Sequence, residues 1–317
     1  MQENLETWHK RLGHTNYRNM HKLISNDAVR GLPKLEVKEK LRGDCQVGKQ
    51  TQVSHQQFSQ VTASRVLDLL HMDLMGLVQV ERIGGKKYIY VCVDDYSRYT
   101  WVEVLREKSD AFAPFKQLAT QIQREQETHI IRIRSDHDKE FENAKLDEYC
   151  SQEGIKHEFS APITPQQNDI VERKNRIIQE MARVMLHSKK MPIKFWGEAV
   201  NTACHIHNRI TLRPGTNNTT YEIWRGRKPN VQYFHIFGSV CYILADREPR
   251  HKFDVKGEKW IFLGYSRNYR ALRVYNKRTQ VIMESIKVKV VDEEAEHTET
   301  EPEEPVTPTV IDSGRIP

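Results

Sequence analysis

Three acids in this 317-residue chain stand where an acid needs a reason. Asp73 interrupts V-L-D-L-L-H-M-D-L, a run that reads as a strand, and a carboxylate in an otherwise apolar strand is costly unless something binds it. Asp136 follows I-I-R-I-R directly, at the C-terminal end of a predicted strand, a usual place for ligand-binding residues in α/β sheets. Glu172 lies near the start of a helical stretch whose Val171, Ile178, Met181 and Met185 form one apolar stripe. One residue on from Val171 is about 100° round the helix, so Glu172 falls at the edge of that stripe. Two strands and a helix could therefore bring three carboxylates to one ligand. Each also has a plainer reading. Glu172 would complement the helix dipole and pair with Arg176 four residues on, Asp136 would cap a turn, and Asp94 and Asp95 would close a hairpin.

The elements that must position these acids follow from the pattern. K-Y-I-Y-V-C-V-D and Y-T-W-V-E-V-L are β-rich runs joined by D-Y-S-R. Residues 109–126 carry a helical pattern, and N-A-K-L-D-E-Y-C-S-Q-E-G is a helix closed by Gly154. A short strand near His157 to Phe159 follows, then a long helix from about Asn168 to His187. A meander followed by alternating helix and strand implies one α/β sheet. Pro192 can open a further helix, which R-P-G-T-N-N-T breaks. Beyond Phe234 short strands recur at the spacing of a small barrel.

The charge is uneven. The net value is +6, but residues 291–317 hold nine acids and one arginine, −8, which leaves +14 on residues 1–290. A body that basic fits a polyanionic partner such as nucleic acid, or simply excess surface lysine. The five cysteines (Cys45, Cys92, Cys150, Cys204, Cys241) are scattered and never form C-x-x-C, so a disulfide framework is not expected. No apolar run approaches a membrane span, no signal sequence opens the chain, and we expect an intracellular protein with an acidic, disordered tail.

The acid spacings of 63 and 36 residues resemble those of the retroviral-type integrase core, the D,D(35)E family with a ribonuclease-H-like fold. The likeness is closer to copia-type retrotransposon integrases. It is carried by W-H-K-R-L-G-H, D-C-Q-V-G-K-Q, V-D-D-Y-S-R-Y-T-W-V, R-S-D-H-D-K-E-F, A-P-I-T-P-Q-Q-N-D-I-V-E-R-K-N-R, F-W-G-E-A-V-N-T-A and F-L-G-Y-S-R-N-Y-R-A-L-R-V-Y-N.

The resemblance implies a degenerate zinc-binding-like module over residues 1–60, a ribonuclease-H-like core over 61–190 and a helical connector over 191–233. A Src-homology-3-like barrel over 234–291 and an acidic tail over 292–317 complete the expected order. It implies that Asp73, Asp136 and Glu172 hold two Mg²⁺ or Mn²⁺ ions, with Asp73 bridging them. The implied reaction trims element DNA ends and joins the 3′-hydroxyls to target DNA, in a homo-multimer acting in the nucleus. No covalent protein intermediate is required, in keeping with the lack of a Ser/His or Cys/His nucleophile signature. Lys174, Arg176, Arg132 and Arg134 would hold phosphates near the acids, and Lys252, Arg267, Arg270 and Arg273 would face DNA from the barrel. Barrel aromatics such as Trp260, Tyr265 and Tyr275 are read as core.

For Zn²⁺, His9, His14 and Cys45 match the family's ligands, but Arg42 stands at the first cysteine's position, so the tetrahedral set is not closed. His21, Asp44 or His55 could substitute, and the competing reading is a weakly folded arm. Asp138 and Asp169 stand where the family usually has glycine, placing extra negative charge near the acids. These departures favour a second reading, a DNA-binding remnant without catalysis.

Overall fold

The computed structural model describes residues 5–35, 63–76, 85–136, 141, 143–159, 169–244, 257–266 and 270–292. Its centre is a five-stranded sheet. Strands β1 (Leu69–Met75), β2 (Tyr88–Asp94), β3 (Thr100–Leu105), β4 (Arg132–Ser135) and β5 (Lys156–Phe159) lie in the order β3-β2-β1-β4-β5. The first three pair antiparallel as the meander, while β4 runs parallel to β1 and β5 parallel to β4. Strands buried on both faces need apolar residues at both parities, as the runs of β1 and β2 supply. Leu70, Met72, Leu74, Tyr90, Cys92 and Ile133 share one core with Phe115 and Ile122 of α3 (Phe112–Gln126) and Tyr149 of α4 (Ala144–Glu153). Met75, Ile89, Val91 and Val93 point the other way, into a core shared with α5 (Asp169–Ser188) and α6 (Trp196–Ile210).

The local signals act as expected. Asn143 caps α4 through the Leu146 amide at 2.9 Å, and Gly154 ends it at φ +69°. Val171, Ile178, Met181 and Met185 are all buried along α5. Asp94 closes the β2–β3 turn by accepting from the Ser97 amide at 2.7 Å and its hydroxyl at 2.6 Å.

The N-terminal segment departs from the sequence expectation. A helix of seven residues and one of nine, α1 (Leu5–Arg11) and α2 (Tyr17–Ser25), bury Trp8, Met20 and Leu23, with Leu12 just after α1, in the core that also holds α5 and α6. Its described part is no weak arm, because its apolar face is covered by partners nearly two hundred residues away. One of them is Ile210, whose carbonyl accepts from Asn19 Nδ2 at 2.9 Å.

After the short helix α7 (Thr220–Arg225), strands β6 (Val240–Leu244), β7 (Gly257–Tyr265), β8 (Leu272–Tyr275), β9 (Ile282–Ser285) and β10 (Val288–Val291) form an antiparallel sheet ordered β10-β6-β7-β8-β9. Trp260, Tyr265 and Tyr275 are buried in it, as the strand spacing predicts. The sheet sits on α6. Thr202 Oγ1 donates to the Leu263 carbonyl at 2.8 Å, and Gly264, at φ +136°, leaves room for it. A Cβ on Gly264 would lie 2.0 Å from Thr202 Oγ1. The expected connector is therefore a largely buried helix wedged between two sheets.

Candidate functional site

The β1–β4 register pairs His71 with Arg134; two residues further along each strand stand Asp73 and Asp136. Parallel neighbours two residues beyond a registered pair lie side by side, and alternation puts both on the His71/Arg134 face. That face is the one α5 covers. Asn175 Nδ2 donates to Asp73 Oδ2, and the Leu74 amide donates to Asp73 Oδ1 at 2.8 Å. One turn on, Gln179 Nε2 lies 2.7 Å from Met75 Sδ, so α5 runs along β1 in the same direction. Glu172, three residues before Asn175, is on the same helix face, exposed, in the first turn, where the helix dipole favours an anion.

Asp73 thus lies in β1, Asp136 directly follows β4, the strand paired with β1, and Glu172 is a helical turn away from a group that touches Asp73. Among the described residues, no group of three or more His, Cys, Asp or Glu side chains is gathered closely enough to hold a metal ion. The donor chemistry of the Asp73–Asp136 pair fits a hard divalent cation.

Beneath Asp73 lies a group that the sequence reading passed over. His71, 1% exposed, places Nε2 3.0 Å from Asp95 Oδ1. Asp95 also pairs with Arg98 Nη1 at 3.1 Å and accepts from the Ala63 amide at 2.8 Å. Burial raises the Asp95 carboxyl, but the His71 hydrogen bond and the Arg98 charge outweigh it and bring it to about 2. Asp95 therefore does more than close a hairpin. The visible signal was H-M-D, which puts His71 and Asp73 on one strand face.

Several expected phosphate contacts are corrected. Lys174 is buried, with Nζ 2.9 Å from His207 Nε2, and burial, with the Arg98 charge, lowers its amine to about 7. It faces α6 rather than solvent, because position 174 falls on the α5 stripe between Val171 and Ile178. Arg132 and Arg134 pair with Glu158 on β5 at 3.5 and 2.9 Å, since the register sets Arg134 opposite Glu158. Arg273 forks onto buried Glu198 of α6 at 2.8 and 2.9 Å and reaches Glu284 at 2.9 Å. It fastens the barrel to the core. Arg176 and Arg270 are exposed; Lys252 and Arg267 lie outside the described residues.

Asp169 pairs with Arg173 at 2.9 Å, so its charge is met on the helix surface. At the N-terminus, His9 and His14 are buried with ring centroids 5.1 Å apart, and His21 is exposed. Arg42, Asp44, Cys45, His55 and Asp138, like the acidic tail from residue 293, lie outside the described residues. The four described cysteines are free and buried. No described helix is long and apolar enough to cross a membrane.

Three family models match the chain in order: a GAG-pre-integrase domain over residues 1–50, an integrase core domain over 63–165 and a retroviral polymerase SH3-like domain over 239–305. The retrovirus-related Pol polyprotein from transposon TNT 1-94 of Nicotiana tabacum is 35% identical over 261 residues, 82% of this chain and 19% of that protein. The corresponding polyprotein from transposon RE2 of Arabidopsis thaliana is 32% identical over 265 residues, 82% of this chain and 18% of its own length. The chain thus spans about a fifth of the length of the curated relatives it matches.

Among solved structures, the HTLV-2 integrase catalytic core domain in complex with magnesium is 20% identical. That match covers 50% of this chain and 97% of that one at a TM-score of 0.40. A simian T-cell lymphotropic virus intasome, in complex with PP2A regulatory subunit B56 gamma, is 12% identical and covers 75% and 82% at 0.45. Module order and relatives agree: a mixed sheet matched by the integrase core model is followed by an antiparallel sheet matched by the SH3-like model, and the chain belongs to the integrase region of copia-type retrotransposon Pol polyproteins.

Proposed function

We propose that this chain is a working polynucleotidyl transferase, which trims the 3′ ends of element DNA and joins them to target DNA. The observation that supports the reading is the β1–β4 register, which when extended by two residues brings Asp73 opposite Asp136, with Asn175 linking Asp73 to the helix that bears Glu172. Asp73 and Asp136 would hold divalent cations, Mg²⁺ or Mn²⁺, with Glu172 completing the set as α5 settles over bound DNA. Such ions, when bound, activate the attacking oxygen and stabilise the leaving one in an in-line displacement at phosphorus. The chain's own residues orient and anchor. Asn175 fixes the rotamer of Asp73, the α5 N-terminus favours a phosphate near Glu172, and exposed Arg176 and Arg270 offer phosphate contacts. The DNA partner, assembly as a multimer and action in the nucleus belong to this proposal, as does Zn²⁺ held by His9, His14 and Cys45.

The reading without catalysis has one observation in its favour, that among the described residues no three His, Cys, Asp or Glu side chains gather closely enough to hold a metal ion. A strand-transfer assay with labelled element ends in Mg²⁺ or Mn²⁺ separates the two. The working-enzyme reading expects joined product from the chain and none from Asp73→Asn. Product appearing only after Asp138→Gly or Asp169→Gly would favour the remnant, and DNA retention that collapses at low salt would contradict both.

A further inference from the structure

On the sheet face opposite the acids, a hydrogen-bonded chain ends on Asp136. Ser135, fully buried at the end of β4, points to the α4 side of the sheet, and its Oγ donates to the carbonyl of Asp136 at 3.1 Å. The same Oγ lies 2.9 Å from Nε2 of His157 on β5. The β4–β5 register explains the meeting: Ile133 pairs with His157 and Ser135 with Phe159, so positions 133, 135, 157 and 159 share one face. A hydroxyl has one proton. If Ser135 gives it to the Asp136 carbonyl, His157 Nε2 must carry the hydrogen that Ser135 accepts. The Nδ1 of His157 is buried, 3.9 Å from the Asp147 carboxylate at the start of α4.

The order Asp147, His157, Ser135 has the look of a nucleophilic triad, but Ser135 is 0% exposed and its hydroxyl is committed to a main-chain carbonyl. Its geometry suits holding rather than attack. We infer that Ser135 and His157 are positioning residues that fix the peptide after β4, so that the Asp136 carboxylate is presented on the opposite face beside Asp73. The inference rests on the reading above, in which Asp136 holds a divalent cation. It assigns a role to residues on the sheet face opposite the acids' carboxylates. Groups that orient metal-binding carboxylates from behind commonly change metal affinity by about 10–100-fold when removed.

The test is calorimetric titration of the full chain with Mn²⁺, alongside thermal unfolding. Ser135→Ala deletes the bridging oxygen, His157→Phe keeps the ring volume and loses the donor, and His157→Gln restores an amide donor near the Nε2 position. We expect the first two to weaken Mn²⁺ binding about tenfold and His157→Gln to stay within about threefold of wild type. If His157→Phe does not fold, Ser135→Ala reads the same bridge. Wild-type affinity in Ser135→Ala and His157→Phe, with Asp136→Asn losing the ion, would overturn this inference alone. So would a loss in His157→Gln as large as in His157→Phe. Wild-type Mn²⁺ binding by Asp136→Asn would overturn the cation reading and this inference with it.

Discussion

The acid face under α5 and the seam between α6 and the barrel both hold carboxylates with hydrogen-bond donors, but they treat charge differently. At the seam, buried Glu198 meets Arg273 through two parallel hydrogen bonds, a paired charge that locks two sheets together. At the acid face, Asp73 takes hydrogen bonds from two amides, Asn175 Nδ2 and the Leu74 main chain. Neutral donors orient a carboxylate without cancelling its charge, whereas a guanidinium does both. The seam is therefore architecture, while the two amide donors on Asp73 orient its carboxylate under α5.

That contrast can be broken from either side. Asp73→Asn, Asp136→Asn or Glu172→Gln should lower strand transfer by at least about 100-fold, the scale of losing a principal electrostatic group in a site, with little change in unfolding temperature. Glu198→Ala should do the reverse. Removing one partner of a buried pair strands the other, so denaturant unfolding should show a loss of about 3 kcal/mol, while the acid face stays intact. Asn175→Leu should weaken Mn²⁺ binding about tenfold in a calorimetric titration, because the Asp73 rotamer is released while the helix packing is kept.

Smaller effects sharpen the same boundary. Asp95, held at about 2 in the folded chain against about 3.9 unfolded, contributes stability that is present above pH ~4 and lost as pH falls through ~2. The stability difference between wild type and Asp95→Asn should shrink over that window in acid titrations followed by circular dichroism. Arg176→Ala should reduce the slope of log affinity for DNA against log salt by about one. Lys174→Met should leave that slope unchanged, since the amine is turned into the core against His207.

The sequence was most legible where local rules operate. The long helix expected from about Asn168 to His187 is Asp169–Ser188, and its stripe of Val171, Ile178, Met181 and Met185 is buried as the periodicity requires. The positions of Asp73 within β1 and of Asp136 directly after β4 also needed only the strand pattern and its direction; their role belongs to the proposal. What remained hidden depends on partners distant in sequence. Arg134 meets Glu158 because β4 and β5 pair in one particular register, and Arg273 meets Glu198 because the barrel docks on α6. Nothing within several residues of either arginine encodes its acid. Burial of α1 and α2 escaped notice for the same reason: helices of seven and nine residues are marginal alone and owe their order to packing on distant helices.

The proposed site requires Asp73 and Asp136 to share a divalent cation, and anomalous diffraction from crystals soaked in Mn²⁺ addresses that directly. We predict a peak between the two carboxylates in the wild-type chain and its loss in Asp136→Asn. An empty position between them in the wild type, or a peak that persists without the Asp136 carboxylate, would contradict the account.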